Sequence, residues 1–284
     1  MSQNDLQHLI TLSPDKPHAL RELFEAAQTG NLVIFSDYDK TMGAFMPGQH
    51  DGFPQDQDLV DLVQPFGEFF VPITGRPQTF LQTVHGKNYV PYSATEHGGI
   101  LYDIGTGNEL VSYRVPDLSD IRGKIEKLVA KYDGAQVELH KQATLTAEFT
   151  KAANALDVVS PELEDHIRKL LESDPKYADV RLINGSVPGN CYIELVHKDV
   201  SKGNAVRYFM DNVPAFKGKK AIFLGDSAPD ESGMVAAQNN PAGGFAMGVT
   251  DSAPAVADFR VKSWKENRDF LRTLADIVPY TPKP

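Results

Sequence analysis

Residues 32–42 read LVIFSDYDKTM, an apolar run that leads into two aspartates. Four consecutive apolar residues at the start of this stretch indicate a buried strand over residues 32–35. Asp37 and Asp39 are two positions apart, so on an extended backbone their side chains point to the same side. Two carboxylates that close repel each other, and each loses hydration on burial. The sequence therefore predicts that positively charged groups gather at the end of this strand.

Composition limits the classes of partner. The 284 residues suffice for one large domain or two of ordinary size, and 41% are hydrophobic. The formal net charge of −10 argues against nucleic acid or an anionic membrane as the main partner. The single cysteine, Cys191, excludes an internal disulfide, and its strand-like surroundings predict an inert core thiol. Neither a secretion signal nor an apolar run of ~18 residues is visible, so we expect a cytoplasmic protein.

Strand-like and helix-like segments alternate in the outer parts of the chain. Apolar runs predict strands over residues 32–35, 69–74 and 220–224, and helical patterns occupy residues 77–84 and 202–210. This alternation predicts an α/β fold with a doubly wound parallel sheet. Ligands bind beyond the carboxyl ends of such strands, where Asp37, Thr74 and Asp226 fall.

The middle of the chain has a different pattern. It predicts two helices, over residues 117–132 and 160–173, and four strands, over residues 135–140, 144–149, 180–184 and 190–196. An α+β unit of this kind interrupts the doubly wound pattern, so we expect an inserted domain over residues 114–196. Residues 1–113 and 197–284 would then form the core.

Four polar motifs accompany the predicted core strands and helices. They are DxDxT at residues 37–41, TGR at 74–76, SKG at 201–203 and GDSAPDE at 225–231. Taken singly, each also fits a helix cap, a turn or a solvated surface charge. Together and in this order, they resemble the motifs of the haloacid dehalogenase superfamily of phosphatases. The resemblance covers both outer segments and implies a Rossmann-like core with an inserted cap domain.

The resemblance also implies roles for the motif residues. Asp37 would be the nucleophile that forms an aspartyl-phosphate, and Asp39 the general acid and base. Thr74 would donate a hydrogen bond to the phosphoryl oxygens. Lys202 would neutralise phosphate charge and orient Asp37, a task suited to a compact point charge. These roles agree with phosphoryl transfer, which depends mainly on positioning and charge neutralisation.

A magnesium ion is the cofactor that the resemblance implies. Its expected ligands are the Asp37 carboxylate, the backbone carbonyl of Asp39 and the Asp226 carboxylate, with Asp230 assisting directly or through a water. Mg²⁺ prefers hard oxygen ligands and usually keeps several waters. A divalent cation would also make the clustered carboxylates tolerable.

Finer features resemble the bacterial trehalose-6-phosphate phosphatases over most of residues 30–250. They are EHGG at residues 96–99, VELHK at 137–141, YIEL at 192–195 and GDSAPDESGM at 225–234. The resemblance implies that Glu138, Lys141 and Glu194 bind the sugar. Both glutamates also fit the polar face of an amphipathic strand. Arg76 could bind phosphate or pair with an acidic neighbour, and His97 fits a structural histidine.

The sequence departs from that family at four places. Lys40 stands where the family usually has glycine, and Ser227 replaces a carboxylate of the acidic motif. Lys141 is one residue further from Glu138 than in the family, which on a regular strand would turn it to the opposite face unless a bulge restores it. Residues 148–150 read EFT in place of the family's HYR.

The expected partner is therefore a small sugar phosphate, with trehalose 6-phosphate first. Sucrose phosphate, glucosylglycerol phosphate and a phosphorylated glycosylglycerate remain alternatives because they share the core chemistry. An inactive sugar-phosphate-binding module is a different class of function, favoured by Lys40 and Ser227. A phosphomutase would need a second phosphate-binding group in the cap, where Lys141 is the main candidate. The sequence does not predict the oligomeric state.

Overall fold

The computed structural model describes residues 6–14, 16–44, 55–86 and 90–279. Its strands are β1 (Thr11–Leu12), β2 (Leu32–Ser36), β3 (Phe70–Pro72), β4 (Tyr92–Thr95), β5 (Ile100–Asp103), β6 (Asn108–Ser112), β7 (Gln136–Val137), β8 (Leu145–Glu148), β9 (Val180–Asn184), β10 (Tyr192–His197), β11 (Lys220–Gly225), β12 (Gly244–Val249) and β13 (Phe259–Val261). Its α-helices are α1 (Ala19–Gln28), α2 (Gln57–Val63), α3 (Gln78–His85), α4 (Leu118–Val129), α5 (Ser160–Glu172), α6 (Lys202–Asn212), α7 (Glu231–Gln238) and α8 (Trp264–Ala275).

The core is a six-stranded sheet in the order β1-β13-β12-β11-β2-β3. All neighbouring pairs are parallel except β1 with β13. Every residue of β2 is buried because apolar layers cover both faces of the sheet. Ile34 packs into the layer that includes α1, α2, α3 and α8, whereas Val33 and Phe35 face α6 and α7. The α/β prediction is confirmed.

Aromatic residues between β10 and β11 pack against β2. The Phe35 ring lies 6.4 Å from the ring centroids of both Phe209, on α6, and Phe216. All three rings are fully buried. Such aromatic contacts add specific geometry to the area they bury. They hold the last turn of α6 and the segment after it against β2, the strand that leads into the first motif.

The middle of the chain forms an antiparallel sheet in the order β7-β8-β10-β9. Alternate residues of β8 and β10, such as Ala147 and Ile193, belong to an apolar cluster with α4 and α5. The intervening residues, including Thr146 and Glu194, face the opposite side. We call this α+β unit the cap. Its boundaries at residues 113/114 and 196/197 stay a prediction.

The structure corrects three segments. The strand predicted over residues 69–74 covers only β3, and Pro72 is tolerated because it is the last residue of that strand. The strand predicted over residues 135–140 covers only β7, because the chain leaves the sheet afterwards. The sequence analysis missed the antiparallel sheet β4-β5-β6, which is joined to β3 by a bridge between Ile73 and Ala94. No helix within the described ranges has both the length and the apolarity to cross a membrane.

Candidate active site

The predicted motifs meet at the carboxyl edge of the parallel sheet. Asp37 follows β2 and donates its backbone N–H to the Leu224 carbonyl at 2.9 Å, which extends the ladder by one residue. Asp226 follows β11, the strand beside β2. Both carboxylates are buried. The sheet topology therefore brings together side chains that are 189 positions apart in the sequence.

Lys202 links the two acidic motifs. It is the first residue of α6, whose N-cap Ser201 accepts the N–H of Asn204 at 3.0 Å. The Lys202 Nζ lies 2.6 Å from Asp37 Oδ1 and 2.6 Å from Asp230 Oδ1. Burial opposes its charge, but Asp230 and Asp37 outweigh that effect and raise the pKa of Lys202. Lys202 is thus placed to hold Asp37 in one orientation.

Asp230 organises the turn after β11. Its Oδ2 accepts the N–H groups of Asp226 and Ser227, each at 3.0 Å, and the Ser227 hydroxyl at 3.1 Å. The side chain is fully buried and lies behind the cavity wall. Ser227, which stands where the family pattern has a carboxylate, therefore helps to hold the Asp230 side chain in place.

Asp39 and Arg76 form a bidentate ion pair. The Arg76 Nε lies 2.8 Å from Asp39 Oδ2, and Nη2 lies 3.0 Å from Oδ1. Of the two interpretations of Arg76, pairing with an acidic neighbour is the one that the structure contains. Both residues line the cavity, so a role of Arg76 in substrate binding stays a prediction. Asp39 is oriented by two parallel hydrogen bonds.

Thr74 lies deeper than the sequence analysis expected. Its side chain is fully buried, and its Oγ1 accepts the N–H of Arg76 at 3.1 Å. Its carbonyl accepts the N–H of His97 at 2.9 Å. Thr74 is behind the cavity wall in this conformation, so its donation to a phosphoryl group stays a prediction.

The site carries more negative than positive charge. Among the described residues, the carboxylates of Asp37, Asp39, Asp226 and Asp230 meet two buried cations, Lys202 and Arg76. Burial raises the pKa of Asp37 well above its ordinary value, even though Lys202 opposes the shift. Burial and the nearby Asp230 raise the pKa of Asp226 to about 6. An additional cation would stabilise the ionised forms.

These carboxylates fit a magnesium ion by their chemistry. Asp37, Asp226 and Asp230 offer oxygens that all lie within 4.8 Å of one another. Hard oxygen donors and an excess of two negative charges suit a divalent cation. Both oxygens of Asp230 already accept hydrogen bonds, which favours Asp37 and Asp226 as the direct ligands.

The cap places a second charged cluster opposite the first. The Lys141 Nζ lies 2.7 Å from Glu194 Oε1, 3.3 Å from Glu138 Oε2 and 2.7 Å from Thr146 Oγ1. All of these side chains are buried. Burial alone would raise the pKa of Glu194, but Lys141 and His97 outweigh it and lower that pKa. We call Glu138, Lys141 and Glu194 the cap cluster.

Lys141 reaches the site in spite of its unusual spacing. Side chains alternate between the two faces only along a regular strand, and Lys141 lies in the loop after β7. His140 in that loop has a φ of 69°, in the left-handed region. The backbone therefore turns before Lys141 and directs its side chain toward Glu194. The irregular backbone after β7 thus avoids the change of face that a regular strand would give, and the implied place of Lys141 in the cluster agrees with the geometry.

A cavity of about 260 Å³ lies between the strand ends and the cap cluster. Eight of the ten residues predicted for the site line it, namely Asp37, Asp39, Arg76, Glu138, Lys141, Glu194, Lys202 and Asp226. Lys40 is an exposed residue at its rim, with a φ of 58°, a conformation that glycine adopts more readily. This conformation gives a physical reason for the family's glycine at the same position.

Further lining residues were missed by the sequence analysis. They include Thr146 and Glu148 on β8, and Tyr192 on β10. Their signal was the alternation of polar and apolar residues along these strands, since Glu194 pairs with Thr146 and Tyr192 pairs with Glu148.

His97 also lines the cavity. Its Nε2 lies 3.2 Å from Glu194 Oε2, while its buried Nδ1 has no hydrogen-bond partner among the described residues. The sequence analysis treated it as a structural histidine. Its position after β4 brings it into the site, and that sheet was not predicted.

Comparison with known proteins agrees with the resemblance seen in the sequence. No family model matches the chain. The chain is 27% identical over 181 residues to the trehalose-6-phosphate phosphatase of Escherichia coli (strain K12), which covers 64% of this chain and 62% of that protein. The chain therefore aligns with less than two thirds of that relative's length.

Two solved structures share the fold. The C-terminal domain of Candida albicans trehalose-6-phosphate phosphatase has a TM-score of 0.65 at 21% identity, covering 91% of this chain and 97% of that one. A haloacid dehalogenase-like hydrolase from Bacteroides thetaiotaomicron has a TM-score of 0.59 at 12% identity, covering 87% and 99%. The chain thus has the haloacid dehalogenase-like fold and resembles trehalose-6-phosphate phosphatase.

Gly225, the last residue of β11, tests how tightly the acidic turn is packed. A Cβ at this position would lie 2.5 Å from both Cβ and Cγ of Asp230. We expect Gly225→Ala to lower the free energy of unfolding by about 1–3 kcal/mol because it displaces a fully buried carboxylate. Urea unfolding measures the change.

In the matched control Gly123→Ala, on α4, the new methyl group meets no atom within 4 Å. That control should be neutral or stabilising by up to ~1 kcal/mol, and equal effects of the two substitutions would contradict the prediction.

The lowered pKa of Glu194 predicts a pH-dependent contribution to stability. The ionised carboxylate stabilises the fold above the ordinary glutamate pKa of 4.5, and this contribution is lost as the pH falls toward the lower pKa of the folded state. The difference in unfolding free energy between wild type and Glu194→Gln should therefore be largest near pH 7 and shrink toward pH 3. Urea unfolding at several pH values measures it, with the exposed Glu172→Gln as the control. A difference in unfolding free energy that is constant with pH would contradict a lowered pKa of Glu194.

Proposed function

We propose that this protein is a Mg²⁺-dependent phosphatase that hydrolyses a sugar phosphate, with trehalose 6-phosphate as the expected substrate. The observation that carries the proposal is the two-ended cavity. One end holds the Asp37–Lys202 pair at the carboxyl edge of the sheet, and the other holds the cap cluster. The resemblance to the Escherichia coli enzyme supports the choice of substrate.

Asp37 is the proposed nucleophile. Its carboxylate attacks phosphorus, an oxygen–phosphorus bond forms, and the bond to the sugar oxygen breaks. Lys202, 2.6 Å from Asp37 Oδ1, fixes the carboxylate and offsets the negative charge of the incoming phosphoryl group. When bound, Mg²⁺ held by Asp37 and Asp226 would neutralise further charge on that group.

Asp39 is the proposed general acid and base. In its protonated form it gives a proton to the departing sugar oxygen, and the resulting carboxylate, the form that pairs with Arg76, then takes a proton from the water that attacks the aspartyl-phosphate and frees Asp37 and inorganic phosphate. Arg76 holds Asp39 through two parallel hydrogen bonds. Arg76 thus serves this mechanism by orienting the proton carrier beside the nucleophile.

The cap cluster is the proposed sugar-binding end. Each carboxylate oxygen of Glu138 and Glu194 can accept hydrogen bonds from sugar hydroxyls, and Lys141 can donate to them. The cavity of about 260 Å³ is at the small end of ligand sites, so we expect the cap to open for a disaccharide. Its two connections to the core, near Tyr113 and Val196, would permit this.

The other sugar phosphates named above would use the same catalytic end and differ in contacts with the cap cluster. An inactive binding module is the alternative of a different class. Lys40 and Ser227 are the two departures that favour the binding module. The geometry favours an enzyme, because the Ser227 hydroxyl donates to Asp230 and Lys40 lies at the rim of the cavity. Neither departure removes a side chain that the proposed mechanism uses.

The first experiment measures phosphate release from a panel of sugar phosphates, with Mg²⁺ and with EDTA. We expect release from trehalose 6-phosphate to exceed release from glucose 6-phosphate and sucrose 6-phosphate, and to disappear with EDTA. Asp37→Asn should lower kcat at least about a thousandfold, because the amide cannot act as the nucleophile. Circular dichroism of the variant is the control for folding.

Three outcomes separate the alternatives. Release from a different glycoside phosphate would keep the chemistry and replace the substrate. Normal turnover by Asp37→Asn would exclude this residue as the nucleophile. Folded protein that releases phosphate from none of the compounds would contradict the enzyme and favour the binding module.

A further inference from the structure

Glu96 is a buried carboxylate that the proposed chemistry does not use. It follows β4 in the core and is 1% exposed. Its Oε1 accepts the backbone N–H of Gln142 at 2.8 Å, and its Oε2 accepts those of Ala143 and Thr144, each at 2.8 Å. Three consecutive amides of the cap thus bind one side chain of the core. We call residues 141–144 the cap loop.

Glu96 accepts the backbone N–H groups of residues 142–144 in the cap loop, whereas Arg122, Arg114 and Val115 donate to the carbonyls of residues 141, 142 and 143. The loop lies between the two-residue strand β7 and β8, outside the strand ladder at these positions. Unpaired buried N–H groups are costly, and a carboxylate is a strong acceptor for them. The three N–H groups of the loop are therefore held from the core, across the boundary between the two units.

The same loop carries part of the cap cluster. Lys141 immediately precedes the three bound amides, and its Nζ reaches Glu194 at 2.7 Å. The Thr144 hydroxyl lies 3.2 Å from Glu96 Oε2 and 3.0 Å from Glu194 Oε1. It has one proton and can donate to one of the two carboxylates at a time. Glu96 is thus connected to both ends of the Lys141–Glu194 pair.

The backbone of Glu96 is attached to the catalytic end. Its N–H donates to the Arg76 carbonyl at 3.1 Å, and the next N–H, of His97, donates to the Thr74 carbonyl at 2.9 Å. Glu96 and His97 have φ values of 52° and 61°. Two successive non-glycine residues in the left-handed region are costly, and such strain persists where the surroundings fix it.

We propose that Glu96 is a positioning residue that holds the cap loop, and with it Lys141 and Glu194, at a fixed distance from the TGR motif. This inference rests on the proposed function for its kinetic consequence. Glu96 would set the affinity for the sugar part of the substrate and leave the chemistry at phosphorus nearly unchanged. A merely structural role would lower stability and affect all substrates alike.

Glu96→Gln is the test, because it keeps the shape and turns one acceptor into a donor that faces the loop amides. We expect KM for trehalose 6-phosphate, or for the best sugar phosphate of the panel, to rise about tenfold, with kcat within about threefold. The kcat/KM for p-nitrophenyl phosphate, which lacks the sugar hydroxyls that the cap cluster is proposed to bind, should stay within about twofold of wild type. Asp103→Asn is the matched control: Asp103 accepts the N–H of Thr106 at 3.1 Å in the β5–β6 turn, away from the cavity.

A second readout is independent of catalysis. Amide hydrogen exchange at residues 142–144 should be faster in Glu96→Gln and unchanged in Asp103→Asn. If no sugar phosphate is hydrolysed by wild type, the proposed function fails and the exchange rates still decide whether Glu96 holds the loop. Unchanged exchange would overturn the proposal, and so would equal losses on the sugar phosphate and p-nitrophenyl phosphate.

Thr144→Val supplies a test if Glu96→Gln does not fold. It removes the hydroxyl between Glu96 and Glu194 while keeping the side-chain shape and the backbone amide. We expect a smaller rise in KM for the sugar phosphate, about threefold, and no change with p-nitrophenyl phosphate. An unchanged KM for the sugar phosphate would contradict the link between Glu96 and the cap cluster.

Discussion

The architecture of the site depends on an imbalance of charge at the ends of β2 and β11. The parallel sheet brings Asp37 and Asp226 together, and the turn after β11 adds Asp230. Buried carboxylates need cations or hydrogen-bond donors close by. The position of α6 supplies Lys202, and the turn supplies backbone N–H groups. These groups leave negative charge unbalanced, and the cluster therefore has the chemistry to hold the proposed divalent cation.

The charge at each end of the cavity bears on the proposed sugar-phosphate substrate. At the cap end, Lys141 is surrounded by Glu138, Glu194 and Glu96, so that end also carries excess negative charge. An uncharged polyol can donate hydrogen bonds to such carboxylates, whereas a second phosphate or a glycerate carboxylate would be repelled. This electrostatic argument favours a neutral sugar over a phosphorylated glycosylglycerate. It also disfavours the phosphomutase, which needs a second anion there.

The sequence predicted most of what local pattern determines. The alternation of strand-like and helix-like segments predicted the parallel sheet and placed Asp37 and Asp226 at one edge, because this placement follows from topology alone. The direction of Lys141 was not predictable, since it depends on the backbone turn at His140. Glu96 lies in the EHGG stretch that carried part of the resemblance, but nothing in the sequence indicated its contacts with the cap. Its partners are amides 46 to 48 residues away, in a loop whose conformation exists only in the folded protein.

The contacts of Glu96 restrict how the cap can move. Tyr113, at one connection, donates its N–H to the Gly99 carbonyl at 2.7 Å and stacks on His197, at the other, with ring centroids 5.9 Å apart. Both connections therefore lie on the same side of the cap as the loop that Glu96 holds. If the cap opens and keeps these contacts, it must pivot about this side. The far side of the cap, where Tyr192 and Glu148 line the cavity, would then move away from the core. Lys141 would then move little while substrate enters, so part of the sugar site would be formed before binding.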